Sequence, residues 1–114
     1  ASDFNRTLGA NGVDDSAGTD HAWGGHAMVM GGPVNGGELF GHFPSLKMGD
    51  HAESIDAHKG RGRWIPAVSV DQYSAVMARW LGVESSAMDE IFPNLHRFDD
   101  PLTSSTPNLG FLTV

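Results

Sequence analysis

The stretch Gly18-Thr19-Asp20-His21-Ala22-Trp23-Gly24-Gly25-His26 is too rich in glycine to be helical, and it runs straight into the apolar Ala27-Met28-Val29-Met30 and then Gly31-Gly32. A loop that delivers a short buried strand over residues 27–30 is the predicted local structure, with His26, Met28 and Met30 on one face. Two imidazoles and a carboxylate fall within seven residues of that loop. Loops at strand edges are where α/β folds commonly hold metals and anions. His21 and His26 are five apart, so only a chain that folds back brings both to one ion. Asp20 and His21 are adjacent and point opposite ways in extended chain. One can then ligate while the other braces it. The plainer reading makes Asp20 a turn cap and His21 an ordinary polar loop residue.

The rest of the chain alternates turns with short elements. Pro33-Val34-Asn35-Gly36-Gly37 is a turn signal, because Asn-Gly accepts positive φ, and Glu38-Leu39-Phe40 can return as a second strand. Residues 41–62 read as a long polar loop carrying His42, His51 and His58, taken as solvated. Lys59-Gly60-Arg61-Gly62-Arg63 holds three of the seven positive charges. It can meet a phosphate or sulfate, but a turn pairing with acidic neighbours is the better reading. Pro66 keeps residues 64–68 extended. Ser69 and Gln72 then form a capping box. Val70, Tyr73, Val76, Met77, Trp80 and Leu81 make one apolar helical face over residues 70–81, and Gly82 ends the helix. A shorter helix is predicted from Ser86 through Met88 to Ile91, stopped by Pro93. Residues 100–114 are aperiodic and are expected to wrap a neighbouring surface.

Composition narrows the classes. Leu, Ile, Val and Phe make up 25 of 114 residues, and there are 15 glycines. So thin a core would be marginal as an independent domain, which predicts a piece of a larger domain or a subunit packed on a partner. The net charge of −7 excludes nonspecific nucleic-acid binding. The chain has no cysteine, hence no disulfide or thiolate metal site. No apolar run has the length of a membrane span. No nucleophile elbow, P-loop or dinucleotide fingerprint is present.

Several motifs in order resemble one family. They are Ser2-Asp3-Phe4-Asn5-Arg6-Thr7, Gly18-Thr19-Asp20-His21-Ala22-Trp23-Gly24-Gly25-His26 and Gly31-Gly32-Pro33-Val34-Asn35-Gly36-Gly37. Gly60-Arg61-Gly62-Arg63-Trp64-Ile65-Pro66, Ser69-Val70-Asp71-Gln72-Tyr73, Phe92-Pro93-Asn94-Leu95 and Asn108-Leu109-Gly110-Phe111 extend the match. Together they resemble the C-terminal part of DUF1501, a family of secreted bacterial proteins loosely described as sulfatase-like. That family is similar to the alkaline phosphatase superfamily. The resemblance implies an α/β fold, the loop-rich C-terminal portion of a three-layer α/β/α core with metal ligands on loops after the strands. It implies that Asp3 and His21 bind metal, with Asp20 or His26 as ligand or brace. Phe4 is a departure, since the superfamily usually has histidine there and phenyl cannot ligate. Members are longer and exported, so residues 1–114 are expected to be a C-terminal fragment of one larger domain, periplasmic or secreted. Its nucleophile would lie upstream, and its partner would be the rest of the parent polypeptide or another subunit.

Two functions compete at this point. One is a metal-dependent phosphate- or sulfate-ester hydrolase using zinc, calcium or manganese, with Asp3, Asp20, His21 and His26 at the metal and Arg6 as anion clamp. This chain alone is then expected to be inactive. The other is a noncatalytic exported binding or structural protein, or a small subunit of an assembly, that keeps the fold without the chemistry. Phe4 is its main support.

Overall fold

A computed structural model describes residues 2–49, 51–55, 60–103 and 107–113. It divides into two compact units, one of residues 1–28 with 42–67 and one of residues 29–41 with 68–114.

The first unit is built from extended segments pinned by single bridges. Arg6 pairs antiparallel with His21, and Ser54 with Trp64. The Thr7 N–H donates to the Asp20 carbonyl at 2.9 Å, and the Ala22 N–H to the Asn5 carbonyl at 2.7 Å, flanking the first bridge. The Ile65 N–H donates to the Glu53 carbonyl at 2.9 Å, and the Ile55 N–H to the Arg63 carbonyl at 3.1 Å, flanking the second. The Gly9 N–H reaches the Arg61 carbonyl at 2.8 Å, and the Gly24 N–H the Trp64 carbonyl at 3.2 Å, joining the two pairs. Trp64 is buried at their junction. Two glycines make this close approach feasible. A Cβ on Gly24 would stand 2.9 Å from the Trp64 carbonyl oxygen. At Gly62, where φ is +79°, it would stand 2.6 Å from the Trp64 ring.

The second unit centres on helix α1, Val70–Trp80. The Ser69 hydroxyl accepts from the Gln72 N–H at 3.1 Å, and the Gln72 side chain accepts from the Ser69 N–H at 2.9 Å. This is the predicted capping box. Gly82, at φ +94°, follows the C-cap Leu81. A 3₁₀ turn at Ser85–Ala87 leads into α2, Met88–Ile91. Ala75, Met88 and Leu95 form one buried cluster, and Val76, Phe111 and Leu112 another.

Two local expectations are corrected. Residues 27–30 are extended but unpaired, with no backbone hydrogen bond among the described residues. A strand needs a partner for its N–H and C=O groups, and residues 38–40 do not supply one. Met28 and Met30, expected as core, are 79 % and 84 % exposed. The buried side of α1 is Gln72, Ala75 and Val76, whereas Val70, Trp80 and Leu81 are 74 %, 48 % and 74 % exposed. Gln72 is drawn inward because its amide donates to the Asp99 carbonyl at 2.8 Å as well as closing the cap. Described residues of the aperiodic tail lie on neighbouring surface of this unit. Leu112 bridges Val34, the Asn35 N–H donates to the Phe111 carbonyl at 2.9 Å, and Phe111 lies against Tyr73.

Candidate functional site

The antiparallel pair of residues 5–7 and 20–22 carries the predicted site residues. Alternation puts neighbouring side chains on opposite faces. On one face, Phe4 stacks on His21, ring centroids 4.0 Å apart and planes 18° from parallel. The Arg6 guanidinium reaches diagonally to Thr19, with Nε donating to the hydroxyl at 2.9 Å and Nη2 to the carbonyl.

Asp20 turns the other way. One of its carboxylate oxygens accepts from the Asn11 amide at 2.9 Å and the other from the Arg61 guanidinium. Asn11 is itself held, its N–H donating to the Gly18 carbonyl and its side-chain oxygen accepting from the Gly18 N–H. The Asn11 amide first, then the charge of Arg61, holds the Asp20 carboxyl below the usual range. The basic turn thus pairs with an acidic neighbour through Arg61, as the sequence favours, and Lys59 lies outside the described residues.

Ser2, Phe4, Asn5, Arg6, Gly25 and His26 line a cleft of about 400 Å³. Two of the five predicted site residues, Arg6 and His26, therefore share one wall system. Asp3 sits in an exposed turn closed by the Ser2 hydroxyl, which donates to the Phe4 carbonyl at 2.8 Å. Asp3, Asp20, His21 and His26 do not converge. No group of three or more His, Cys, Asp or Glu side chains that could hold a metal forms among the described residues. Asp20 has both oxygens engaged, and the His21 ring is covered by Phe4. In this arrangement the donor set does not fit a divalent metal.

Sequence reasoning missed Thr19 and Asn11 as partners, because each bond depends on a fold-back that no spacing rule encodes. It also missed Glu53. That carboxylate accepts from His42 Nε2 at 2.7 Å and from the Ser45 N–H at 3.2 Å, which pulls its pKa from 4.5 down to about 2, His42 contributing most. His51 donates from Nε2 to the Lys47 carbonyl at 2.6 Å and accepts the Glu53 N–H at 3.3 Å. Two of the three loop histidines are therefore bonded rather than merely solvated, and His58 lies outside the described residues.

No helix among the described residues is long and apolar enough to cross a membrane. Neither a curated protein nor a solved structure gives a significant match to the chain. The profile of one family, described as protein of unknown function (DUF1501), matches residues 1–91. The motifs that resembled this family lie mostly within that span, including both segments of the cleft, and the chain belongs to the DUF1501 family.

Proposed function

We propose that this chain supplies an anion-recognition site for phosphate- or sulfate-ester groups in an exported bacterial protein. The observation that carries this reading is the cleft that Arg6 and His26 line together with Ser2 and Asn5. A guanidinium offers fixed, paired donors to an oxyanion. Asn5 and Ser2 add neutral polar groups, and Phe4 an apolar wall for the rest of an ester. The chain carries 14 acidic against 7 basic side chains, so a cation beside a cleft is a local exception to its charge. The fold that goes with this reading is the C-terminal part of a larger three-layer α/β/α domain. Its remaining strands, from the parent polypeptide or a partner subunit, would pair residues 27–30.

A metal-dependent ester hydrolase is the second reading. What favours it is the pairing of residues 5–7 with 20–22, which sets the segment after Asp3 beside the loop of His21. Hydrolysis also needs an activated nucleophile. The Ser2 hydroxyl donates to the Phe4 carbonyl, and the Thr19 hydroxyl accepts from Arg6. Neither is hydrogen-bonded to a base among the described residues, so this chain by itself is expected to turn over no ester.

Titrating the chain with inorganic sulfate and phosphate while recording amide NMR shifts tests the first reading. Shifts should concentrate at Asn5, Arg6, Gly25 and His26 and vanish in Arg6→Ala. Shifts spread evenly over the surface, or unchanged in Arg6→Ala, would overturn it. Turnover of aryl phosphate or aryl sulfate by the chain, dependent on added zinc, manganese or calcium, would establish the second reading instead.

A further inference from the structure

We infer that Thr19 is the positioning residue for Arg6, selecting which edge of the guanidinium an anion meets. This rests on the anion-recognition reading of the cleft. A guanidinium has a side edge, Nε with Nη2, and an end edge, Nη1 with Nη2. Thr19 takes the side edge twice, through its hydroxyl at 2.9 Å and through its carbonyl. Nη1 has no hydrogen-bond or ion-pair partner among the described residues, and Arg6 lines the cleft. The end edge is therefore the one left to grip an incoming anion.

Thr19 can do this because its own backbone is fixed on both sides. Before it, the Gly18 N–H and carbonyl both bond to Asn11. After it, the Asp20 N–H donates to the Thr7 hydroxyl at 3.1 Å, and the Asp20 carbonyl accepts the Thr7 N–H at 2.9 Å. The Asp20 carboxylate is clamped between Asn11 and Arg61 on the opposite face. An arginine on an exposed strand edge otherwise samples many rotamers, and ordering it in advance removes that entropic cost from binding.

The consequence is selectivity among anions. An end-on fork with two parallel donors matches two oxygens on one centre, as in sulfate, phosphate and their monoesters. A halide offers one point and gains little from the fork. Loss of the Thr19 hydroxyl should therefore weaken oxyanions more than chloride.

The test compares Thr19→Val, which keeps the side chain's shape, with Thr19→Ser, which keeps the hydroxyl. Thr19→Val should bind sulfate about tenfold more weakly than wild type. Chloride binding should change less than about twofold, and Thr19→Ser should restore sulfate binding to within about twofold. Equal sulfate affinity in Thr19→Val, an equal loss for both anions, or failure of Thr19→Ser to rescue would overturn the assignment. The Arg6 Nε–H resonance gives a readout independent of any anion. It should be slowly exchanging in wild type and Thr19→Ser and fast in Thr19→Val. Slow exchange in Thr19→Val would refute the role of Thr19 even if sulfate binds. Wild type that binds no sulfate, yet shows this exchange pattern, would remove the recognition reading alone and leave the Thr19–Arg6 hold standing.

Discussion

Asp20 shows how one residue's partners decide what it can do. With its oxygens held by Asn11 and Arg61, it acts as a structural anchor for the loop rather than as a ligand. The Asp20 and Arg61 side chains are 37 % and 23 % exposed, against 81 % and 44 % for Glu84 and Arg79, whose closest approach is 3.8 Å. Exposed pairs contribute little, and better-shielded, hydrogen-bonded ones more. Arg61→Ala should therefore lower the melting temperature clearly more than Arg79→Ala in parallel thermal scans. Gly62 is a second decisive residue. Its φ of +79° is strained for any side chain, by on the order of 1–3 kcal/mol. A Cβ there would also meet the Trp64 ring and Leu8 at 2.6 and 2.9 Å. Gly62→Ala should shift a urea unfolding midpoint strongly downward, whereas Gly18→Ala, where a Cβ meets nothing within 4 Å, should shift it little.

At the scale of elements, legibility follows how local the determining contacts are. The start of α1 is readable because Ser69 and Gln72 lie three residues apart and each side chain bonds the other's backbone N–H. Ser69→Ala should cost about 1 kcal/mol of stability, read from denaturant unfolding. The buried side of α1 is readable in part: Tyr73, Val76 and Met77 of the apolar face pack with Phe111 and Leu112, far along the chain, whereas Val70, Trp80 and Leu81 stay in solvent. Val76→Ala should accordingly destabilise more than Val70→Ala. Likewise, nothing in the spacing of His42, Ser45, His51 and Glu53 announces that one carboxylate organises their loop. With its pKa lowered from 4.5 to about 2, Glu53 adds stability that is full above pH 4.5 and is lost as pH falls through about 2. Asp20, also lowered, has the same sign. Acidification should release His42 and Ser45 in this range, seen as NMR shift changes at both. In Glu53→Gln the transition at those two residues should be absent.

For the whole molecule, the loop-rich character was plain from 15 glycines and a thin apolar content. The family was legible too, because its motifs recur in order, and its profile covers residues 1–91. The site was legible only in part. Arg6 and His26 meet at one cleft, whereas Asp3, Asp20 and His21 do not converge with His26 on one ion. Sequence places residue types near one another in the chain but does not say which face of an antiparallel pair each takes. Here alternation sends Asp20 to Arg61 and leaves Arg6 and Thr19 together. The exposure of Met28, Met30 and Leu39 accords with the proposal that further strands complete a larger domain.

In the proposed function, Arg6 holds an ester anion in this cleft without a metal. The most direct measurement is the calorimetric affinity of the chain for an aryl sulfate, with excess chelator and again with added zinc, in wild type and Arg6→Ala. Wild-type affinities should be equal in the two conditions, with roughly tenfold or greater weakening in Arg6→Ala. Binding that appears only with zinc, or that is unchanged in Arg6→Ala, would contradict it.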